Sequence, residues 1–429
     1  MRAAVTPPAD PASAEPESAE AGVGFLRFAL TIFVPFALGQ FFSFYARTIN
    51  AVIAPELMTD VGIRAPDLGL LTAVFFFTSA SMQLPLGVLL DRFGPRRVLP
   101  AMFCAAAIGT LLFSFGQGQY TLAFGRAVIG LGVSCSLMSG FRAIMLWLPR
   151  QRWALASSSL LAGGSLGVFA ATAPTRALLH FISWRVLFVL MTFAALAIAG
   201  LVFSLVPDKP GSRDVSPLRE QLRGLISIYT DPLFHRLAPT ICLATGTYMA
   251  IQGLWAGLWF RDVGGFSLQA VAAHLFALAV ALSAGYLTMG LIADRLTHLG
   301  FKLIDVLCGT VFFFYLVELA LTLRIDAAGY LPWILFGLLS SALSLGFPVL
   351  AQHFPMELGG RSTTGLNVLI FFSAFAVQSL IGMVVGLWAP DAAGHYPAAA
   401  YSWALGLMLS VQALAFLRLM WWRLNHRRP

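Results

Sequence analysis

The sequence predicts an all-α membrane protein with twelve transmembrane helices in two pseudo-symmetric six-helix bundles. Three observations support this prediction: an apolar composition, twelve apolar runs of membrane-spanning length, and a motif that recurs in both halves of the chain. Hydrophobic residues make up 59% of the 429 residues and charged residues only 11%, against roughly 25% charged residues in an average soluble domain. A chain this apolar needs lipid as its solvent, which excludes cytosolic enzymes, nucleic-acid binders and disordered regulators.

The apolar runs are long enough to cross a bilayer as helices. A hydrocarbon core about 30 Å thick needs about 20 apolar residues of α-helix. Such runs predict spans 1 to 12 over residues 25–54, 67–90, 98–117, 119–148, 153–176, 184–206, 235–260, 267–293, 302–323, 330–354, 362–388 and 398–422.

The polar segments predict how the chain is divided. Residues 1–24 are rich in Ala, Pro and Glu and contain no apolar stretch, which predicts a disordered cytoplasmic tail. The longest interior loop, residues 207–234, predicts a cytoplasmic linker between a bundle over 25–206 and a bundle over 235–424. Residues 425–429 form a second predicted cytoplasmic tail.

The basic residues are distributed unevenly between the two sides. With the N-terminus placed inside, 19 of the 27 Lys and Arg residues fall on inner segments and five on outer ones. Because basic loops remain in the cytoplasm, we expect a multi-pass protein of the inner (plasma) membrane with both termini cytoplasmic. The basic residues do not cluster on a soluble domain, so we expect a lipid bilayer and no nucleic acid as partner. No acid–base or metal constellation is apparent, so we expect no enzymatic activity, no cofactor and no metal site.

A motif recurs at the same place in each half. The loop after span 2 contains Gly87, Asp91 and Arg92 in the pattern Gly-x-x-x-Asp-Arg, and the loop after span 8 repeats it with Asp294 and Arg295. Repetition at corresponding positions predicts two parallel halves.

The first copy extends further and resembles the loop signature of the major facilitator superfamily of secondary transporters. It matches Gly-x-Leu-x-Asp-Arg-x-Gly-x-Arg-Arg at Gly87, Leu89, Asp91, Arg92, Gly94, Arg96 and Arg97. The resemblance implies a central cavity lined mainly by spans 1, 4, 7 and 10, and rocking between inward-open and outward-open states. It further implies that Asp91 meets the N-terminal end of span 11 near Ser362, where the helix dipole favours a carboxylate.

The motif residues are therefore expected to form a gate. Gly87 would allow close helix approach, and Arg92 and Arg96 would pair with carboxylates or anionic lipid headgroups. Asp294 and Arg295 are the corresponding gating residues of the second half.

Span 1 carries an arginine inside the membrane. Gln40, Ser43, Arg47 and Asn50 are spaced by three and four residues, so they share one helical face. An Arg in a bilayer costs about 2.5–3.5 kcal/mol or more, and it therefore usually faces a cavity or a partner. This stripe predicts cavity lining, with Arg47 binding the solute or, alternatively, forming a structural ion pair.

Other polar side chains are candidates for the same cavity. Span 4 carries Arg126, which resembles the inward-facing span-4 arginine of the superfamily, and Arg142, which we expect to form an ion pair or to reach the interface near the inner face. On span 7, Tyr248 and Gln252 combine hydrogen-bonding groups with flat apolar surface. On span 11, Asn367 completes the predicted set.

The stretch Tyr45–Asn50 also resembles span 1 of the organic-anion branches of the superfamily, in which the arginine binds a carboxylate or phosphate. Those anion:proton symporters have acids where this chain has Ala46 and Val133, and the phosphate-exchanging branch has a span-7 arginine that is absent between Leu237 and Phe260.

We therefore expect a secondary active transporter that moves a small solute, an anion, by alternating access. We expect it to work as a monomer and as a symporter or antiporter. Alternatives are an exporter of neutral or aromatic small molecules, a soft-metal importer using Met249 and His274, and a non-transporting membrane sensor. The Gly-x-Ser-x-Gly pattern at Gly163–Gly167 lies within a span, where we expect it to serve helix packing rather than nucleophilic catalysis.

Overall fold

The structure, a computed structural model, describes residues 28–149, 152–208, 226–325, 329–354 and 356–425. The predicted N-terminal tail, most of the predicted linker and residues 426–429 lie outside these ranges.

Twelve long helices account for most of the described residues. They are α1 Ala29–Thr48, α2 Ala65–Phe93, α3 Pro95–Ser114, α4 Gln119–Trp147, α5 Trp153–Ala170, α6 Trp184–Leu205, α7 Pro232–Asp262, α8 Leu268–His298, α9 Leu303–Thr322, α10 Tyr330–His353, α11 Met356–Val385 and α12 Ala398–Asn425. Among the described residues, eleven helices are long and apolar enough to cross a membrane, and α5, with 18 residues, supplies the remaining span.

The all-helical, twelve-helix prediction is confirmed, with shifts at several ends. After a break at Ile49, α1 continues as Asn50–Val61, well beyond the predicted end of span 1. α8 continues to His298, and α11 begins at Met356. Because the number of spans is even, α1 begins and α12 ends on the same side. We call that side the terminal face and the other the opposite face.

Local sequence signals explain several helix boundaries. Gly62 and Gly94 have φ values of 71° and 74°, a left-handed backbone that favours glycine, and they separate α1 from α2 and α2 from α3. Ser183 and Ser267 accept hydrogen bonds from backbone N–H groups at the starts of α6 and α8. These caps satisfy donors that a helix start leaves unpaired.

The two halves of the molecule meet through glycine-lined contacts near the opposite face. A methyl group placed on Gly257 of α7 would lie 2.5 Å from the carbonyl oxygen of Ala51, and one on Gly386 of α11 would lie 2.8 Å from Pro66. Gly69 of α2 approaches Gly382 in the same way. Residues without a side chain thus let backbones from the two halves touch.

Four helices lose regular α geometry in the middle of the membrane. α1 breaks at Ile49, and α4 breaks between its segments Gln119–Val133 and Ser136–Trp147. α7 contains a π-helical turn over Ile251–Trp255, and α10 a 3₁₀ turn over Ser341–Leu345. Irregular turns inside a membrane persist where protein or a polar cavity satisfies the backbone, and π-turns are frequent at functional sites. The four helices are those that the superfamily resemblance assigns to the cavity.

Candidate functional site

Arg47 lies in the last turn of α1, just before the break at Ile49. Its side chain is half-buried, and its guanidinium stacks over the ring of Phe44 at 4.4 Å. Among the described residues it forms no ion pair and no hydrogen bond, and the polar groups facing it electrostatically are the hydroxyls of Tyr248 and Tyr286. A guanidinium inside a membrane usually faces a cavity or a partner, so Arg47 is the first candidate for a solute-binding group.

The other polar residues of the α1 stripe contact helices of their own half. Gln40 packs against Gly164 of α5, where an added methyl group would lie 2.9 Å from the Gln40 side chain. Ser43 faces the Val133 carbonyl of α4 at 3.4 Å, and the Asn50 amide donates to Thr72 of α2 at 2.9 Å. Gln40 and Asn50 are each 1% exposed. Of this stripe, Arg47 alone extends toward the second half.

Arg126 of α4 is fully enclosed at 0% exposure. It donates to the Ala46 carbonyl at 2.8 Å and lies over the rings of Phe75 and Phe113 at 5.1 and 6.0 Å. The cation–π contacts and the carbonyl partly compensate its burial. Arg126 therefore fixes the backbone beside Arg47 and does not itself reach the accessible space.

Tyr248 and Gln252 approach from α7. Tyr248 packs against Phe336 of α10 at 5.8 Å, and Gln252 lies in the π-helical turn with 3% exposure. The Gln252 Nε2 atom is buried without a hydrogen-bond partner among the described residues, whereas the Tyr248 hydroxyl lies beside the Ser340 hydroxyl. Buried polar atoms are nearly always paired, so the Gln252 amide is a candidate contact for a bound solute.

Tyr286 of α8 is a site residue that the sequence reasoning missed. Its side chain is 39% exposed, and it faces Arg47 electrostatically. The preceding residue, Gly285, would place a methyl group 2.6 Å from the Leu338 carbonyl of α10, so α8 is held close to α10 beside the site. The sequence signal was the pair Ser283 and Tyr286, one turn apart on the same face of span 8.

Asn367 of α11 is half-buried and lies one turn from Phe371, whose ring meets Phe76 of α2 at 6.2 Å. It therefore shares the helix face that meets the first half. The structure brings Arg47, Tyr248, Gln252 and Tyr286 to one region, whereas Gln40, Asn50 and Arg126 support that region from behind.

The loop motif forms an ion pair within its own half. The Asp91 carboxylate lies 3.2 Å from the Arg142 guanidinium of α4, which agrees with the ion pair expected for Arg142. The expected close helix approach at Gly87 is wrong for this conformation as far as the described residues show, because a methyl group there would meet none of them within 4 Å. Arg92 lies over the ring of Phe93 at 5.3 Å.

The remaining gating candidates lie near the ends of their helices. Arg96 contacts the Phe203 carbonyl of α6 at 3.2 Å and Asp208 at 3.6 Å. Asp294 and Arg295 are exposed and form no ion pair among the described residues.

Two further sequence interpretations concern α5 and α8. The Gly163–Gly167 pattern lies in helix α5, where the Ser165 hydroxyl donates to Leu161 and Gly167 packs against the Phe41 carbonyl, so the packing interpretation is confirmed. His274 stacks on Tyr330 at 3.9 Å and bonds the Ala270 carbonyl through Nδ1 at 2.8 Å. Within the described ranges, no three His, Cys, Asp or Glu residues cluster as metal ligands would.

Comparison with known proteins identifies the family. The family model described as Major Facilitator Superfamily matches residues 36–377. The chain is 23% identical to Probable sulfoacetate transporter SauU of Cupriavidus necator over 272 residues, 60% of this chain and 63% of that protein. It is 22% identical to Probable galactarate/D-glucarate transporter GudP of Bacillus subtilis over 380 residues, 79% and 82% of the two chains.

Some curated relatives are matched over only part of their length. The chain spans 63% of the length of SauU and 27% of the length of another relative, Uncharacterized transporter YybO of Bacillus subtilis. Among solved structures, it resembles an inward-facing, unoccupied bacterial homolog of the human lysosomal transporter Spinster with a TM-score of 0.75 and 15% identity. That match covers 93% of this chain and 98% of the other. At this identity the likeness establishes the fold.

Proposed function

The chain belongs to the major facilitator superfamily of transporters, and we propose that it moves a small anion, bound by Arg47, through a membrane by alternating access. We further propose that it works as a monomer in the inner (plasma) membrane with both termini in the cytoplasm. The basic residues concentrated on the terminal face support this orientation.

The observation that carries the anion proposal is the unpaired guanidinium of Arg47. Placing a charge inside a membrane without a partner costs free energy. A residue of this kind is therefore typical of a functional site. The guanidinium presents a planar fork of donors that fits carboxylate, sulfonate or phosphate oxygens in pairs. An anion from solution would supply the counter-charge that the described residues do not.

The named solutes of two relatives are consistent with this chemistry. Sulfoacetate, galactarate and glucarate are all small organic anions, and the proteins named for them align over 60% and 79% of this chain.

Alternating access fits the uneven contact between the halves. Backbones of the two halves touch at Gly257 and Ala51 near the opposite face, and Arg261 of α7 reaches Met58 of the extended α1 at 3.2 Å. Arg47 remains partly accessible, so solute would reach it in this conformation from the terminal face. Opening the glycine-lined contacts would expose it to the other side.

The test uses the purified protein in detergent and in proteoliposomes. A panel of small anions and of neutral aromatic compounds is screened by thermal shift, and uptake of the anions that stabilise the protein is then measured. We expect anions to stabilise the wild type, Arg47→Gln to abolish stabilisation and uptake, and Arg47→Lys to retain charge but lose most affinity.

Arg324→Gln is the matched control, because Arg324 is exposed and lies outside the helices. This variant should transport as the wild type does. Unchanged anion uptake by Arg47→Gln would overturn the proposal. Stabilisation by neutral aromatic compounds alone would favour the exporter alternative.

A further inference from the structure

We propose that the solute carries a single negative charge and that its far end, away from Arg47, is uncharged and is bound by Tyr248, Gln252 and Tyr286. This inference rests on the proposed anion site and narrows its substrate class, setting this chain apart from the two relatives that are named for dianions. It follows from which charges the described residues place around the site.

The accessible positive charge of the site is limited to Arg47. Arg126, the nearest other arginine within the membrane, is 0% exposed and lies behind the α1 backbone, donating to the Ala46 carbonyl. Arg142 is paired with Asp91 near the terminal face. In the described part of α7, α8, α10 and α11 that faces Arg47, no Lys or Arg lies in the middle of the membrane.

The groups opposite Arg47 are uncharged hydrogen-bonding groups. The Gln252 amide nitrogen is buried and unpaired among the described residues, the buried Tyr248 hydroxyl lies beside the Ser340 hydroxyl, and Tyr286 is partly exposed. A phenol both donates and accepts, and an amide nitrogen donates two hydrogens. Such a set suits a hydroxyl, carbonyl or amide at the far end of the solute.

A second negative charge on the solute would lack a counter-ion. Arg47 neutralises one anionic group, so the occluded complex with a monoanion is electrically balanced. A dianion would leave one charge in a low-dielectric interior, held only by neutral donors, and an uncompensated buried charge is strongly unfavourable. Because Arg126 lies behind α1, it cannot reach a group that extends across the site toward α7.

The test compares anions matched in length that differ in their second charge. The first pair is gluconate and glucarate, and the second is 2-hydroxyethanesulfonate and sulfoacetate. Half-saturation is measured by thermal shift and by competition with uptake at neutral pH. We expect each monoanion to bind at least about tenfold more tightly than its dianionic partner, given the cost of an unpaired charge.

A gain-of-function variant tests the charge argument directly. Gln252→Arg adds a second cation in α7, which would pair with the second negative charge of a dianion. The ratio of monoanion to dianion affinity should therefore shift at least about tenfold toward the dianions. Gln252→Met is the matched control: it removes the hydrogen bonds without adding charge, and should weaken both members of a pair equally. If Gln252→Arg does not fold, Tyr286→Arg places the charge on a partly exposed side chain.

The outcomes separate the two proposals. Arg47-dependent binding that is equal for both members of a pair, or tighter for the dianions, overturns the single-charge inference and leaves the anion site standing. If neither added arginine changes the preference for monoanions over dianions, the single-charge inference is also overturned. Binding of no member of either pair, or binding unaffected by Arg47→Gln, would overturn the anion site and this inference together.

Discussion

The Asp91 carboxylate lies 3.2 Å from the Arg142 guanidinium, and this ion pair joins the end of α2 to the terminal-face half of α4. Both side chains are about one third exposed, at 38% and 29%. The pair therefore joins two helices of the same half at the terminal face. Its expected coupling is that of a partly screened pair, about 0.2–1 kcal/mol.

Replacing Asp91 by Asn should lower the melting temperature only slightly, since a pair of this exposure contributes at most about 1 kcal/mol. Exchanging the charges, with Asp91→Arg and Arg142→Asp together, should restore more stability than either change alone. Asp294→Asn is the matched control, because Asp294 has the same place in the second copy but no ion pair among the described residues. A double-mutant cycle on thermal unfolding measures the coupling, and a coupling of zero would contradict the pair.

The helices could be predicted from the sequence because span length and apolar composition are local properties. The direction of the polar residues on α1 could not. Gln40 and Asn50 lie on the same face as Arg47, yet they contact α5 and α2. A polar stripe has the same helical period whether it faces water or a neighbouring helix, since small and polar residues also join helices within membranes. Only the positions of the neighbouring helices distinguish the two cases.

The glycines and Tyr286 illustrate the same limit. Gly87 was expected to allow close helix approach, yet a methyl group there would meet none of the described residues within 4 Å, whereas Gly257 and Gly386 make close contacts between the halves. Tyr286 was overlooked because span 8 shows no extended polar stripe, with only Ser283 one turn away on the same face. Its relation to Arg47 crosses from one half of the molecule to the other, and no spacing within one helix can encode it.

Gly257→Ala should destabilise the conformation that is closed at the opposite face. The added methyl group would lie 2.5 Å from the Ala51 carbonyl, so the halves must separate there. We expect the transport rate to fall at least about tenfold, which corresponds to a shift of about 1.4 kcal/mol between states. A cysteine placed at Val52, which is buried beside Gly257, should become more reactive toward a membrane-impermeant thiol reagent in this variant.

The control for this experiment is Gly253→Ala, in the same helix. A methyl group there would find its nearest atom at 3.9 Å, which is ordinary contact, so transport and labelling should match those of the wild type. The experiment is carried out with Cys104 replaced, because that thiol is exposed. Equal labelling of both alanine variants would contradict the assignment of Gly257 to the closure.

Glu318→Gln should be tolerated, whereas Glu318→Ala should not. Glu318 of α9 is fully buried, accepts a hydrogen bond from Gln412 of α12 at 2.8 Å, and has no cationic partner among the described residues. A glutamine retains an acceptor oxygen for Gln412. An alanine leaves the Gln412 amide unpaired in the membrane, at a cost of about 1–3 kcal/mol. Melting temperatures in detergent measure both variants, and equal losses would contradict a neutral hydrogen-bonding role for Glu318.

The acid stability of the protein should depend on Asp231, which begins α7. Partial burial raises the pKa of this carboxyl, but hydrogen bonds from the Phe234 and Leu233 backbone N–H groups and from His353 outweigh it and hold the pKa below its ordinary value. A pKa lowered by folding means that the carboxylate contributes stability above its unfolded pKa, near 4, and that this contribution is lost as the pH falls through the folded value. Asp231→Asn should therefore be less stable than the wild type at pH 6, and the difference should shrink toward pH 3. Asp294→Asn, at an exposed carboxyl, should follow the wild type throughout, and a pH-independent gap for Asp231→Asn would contradict the ionised cap.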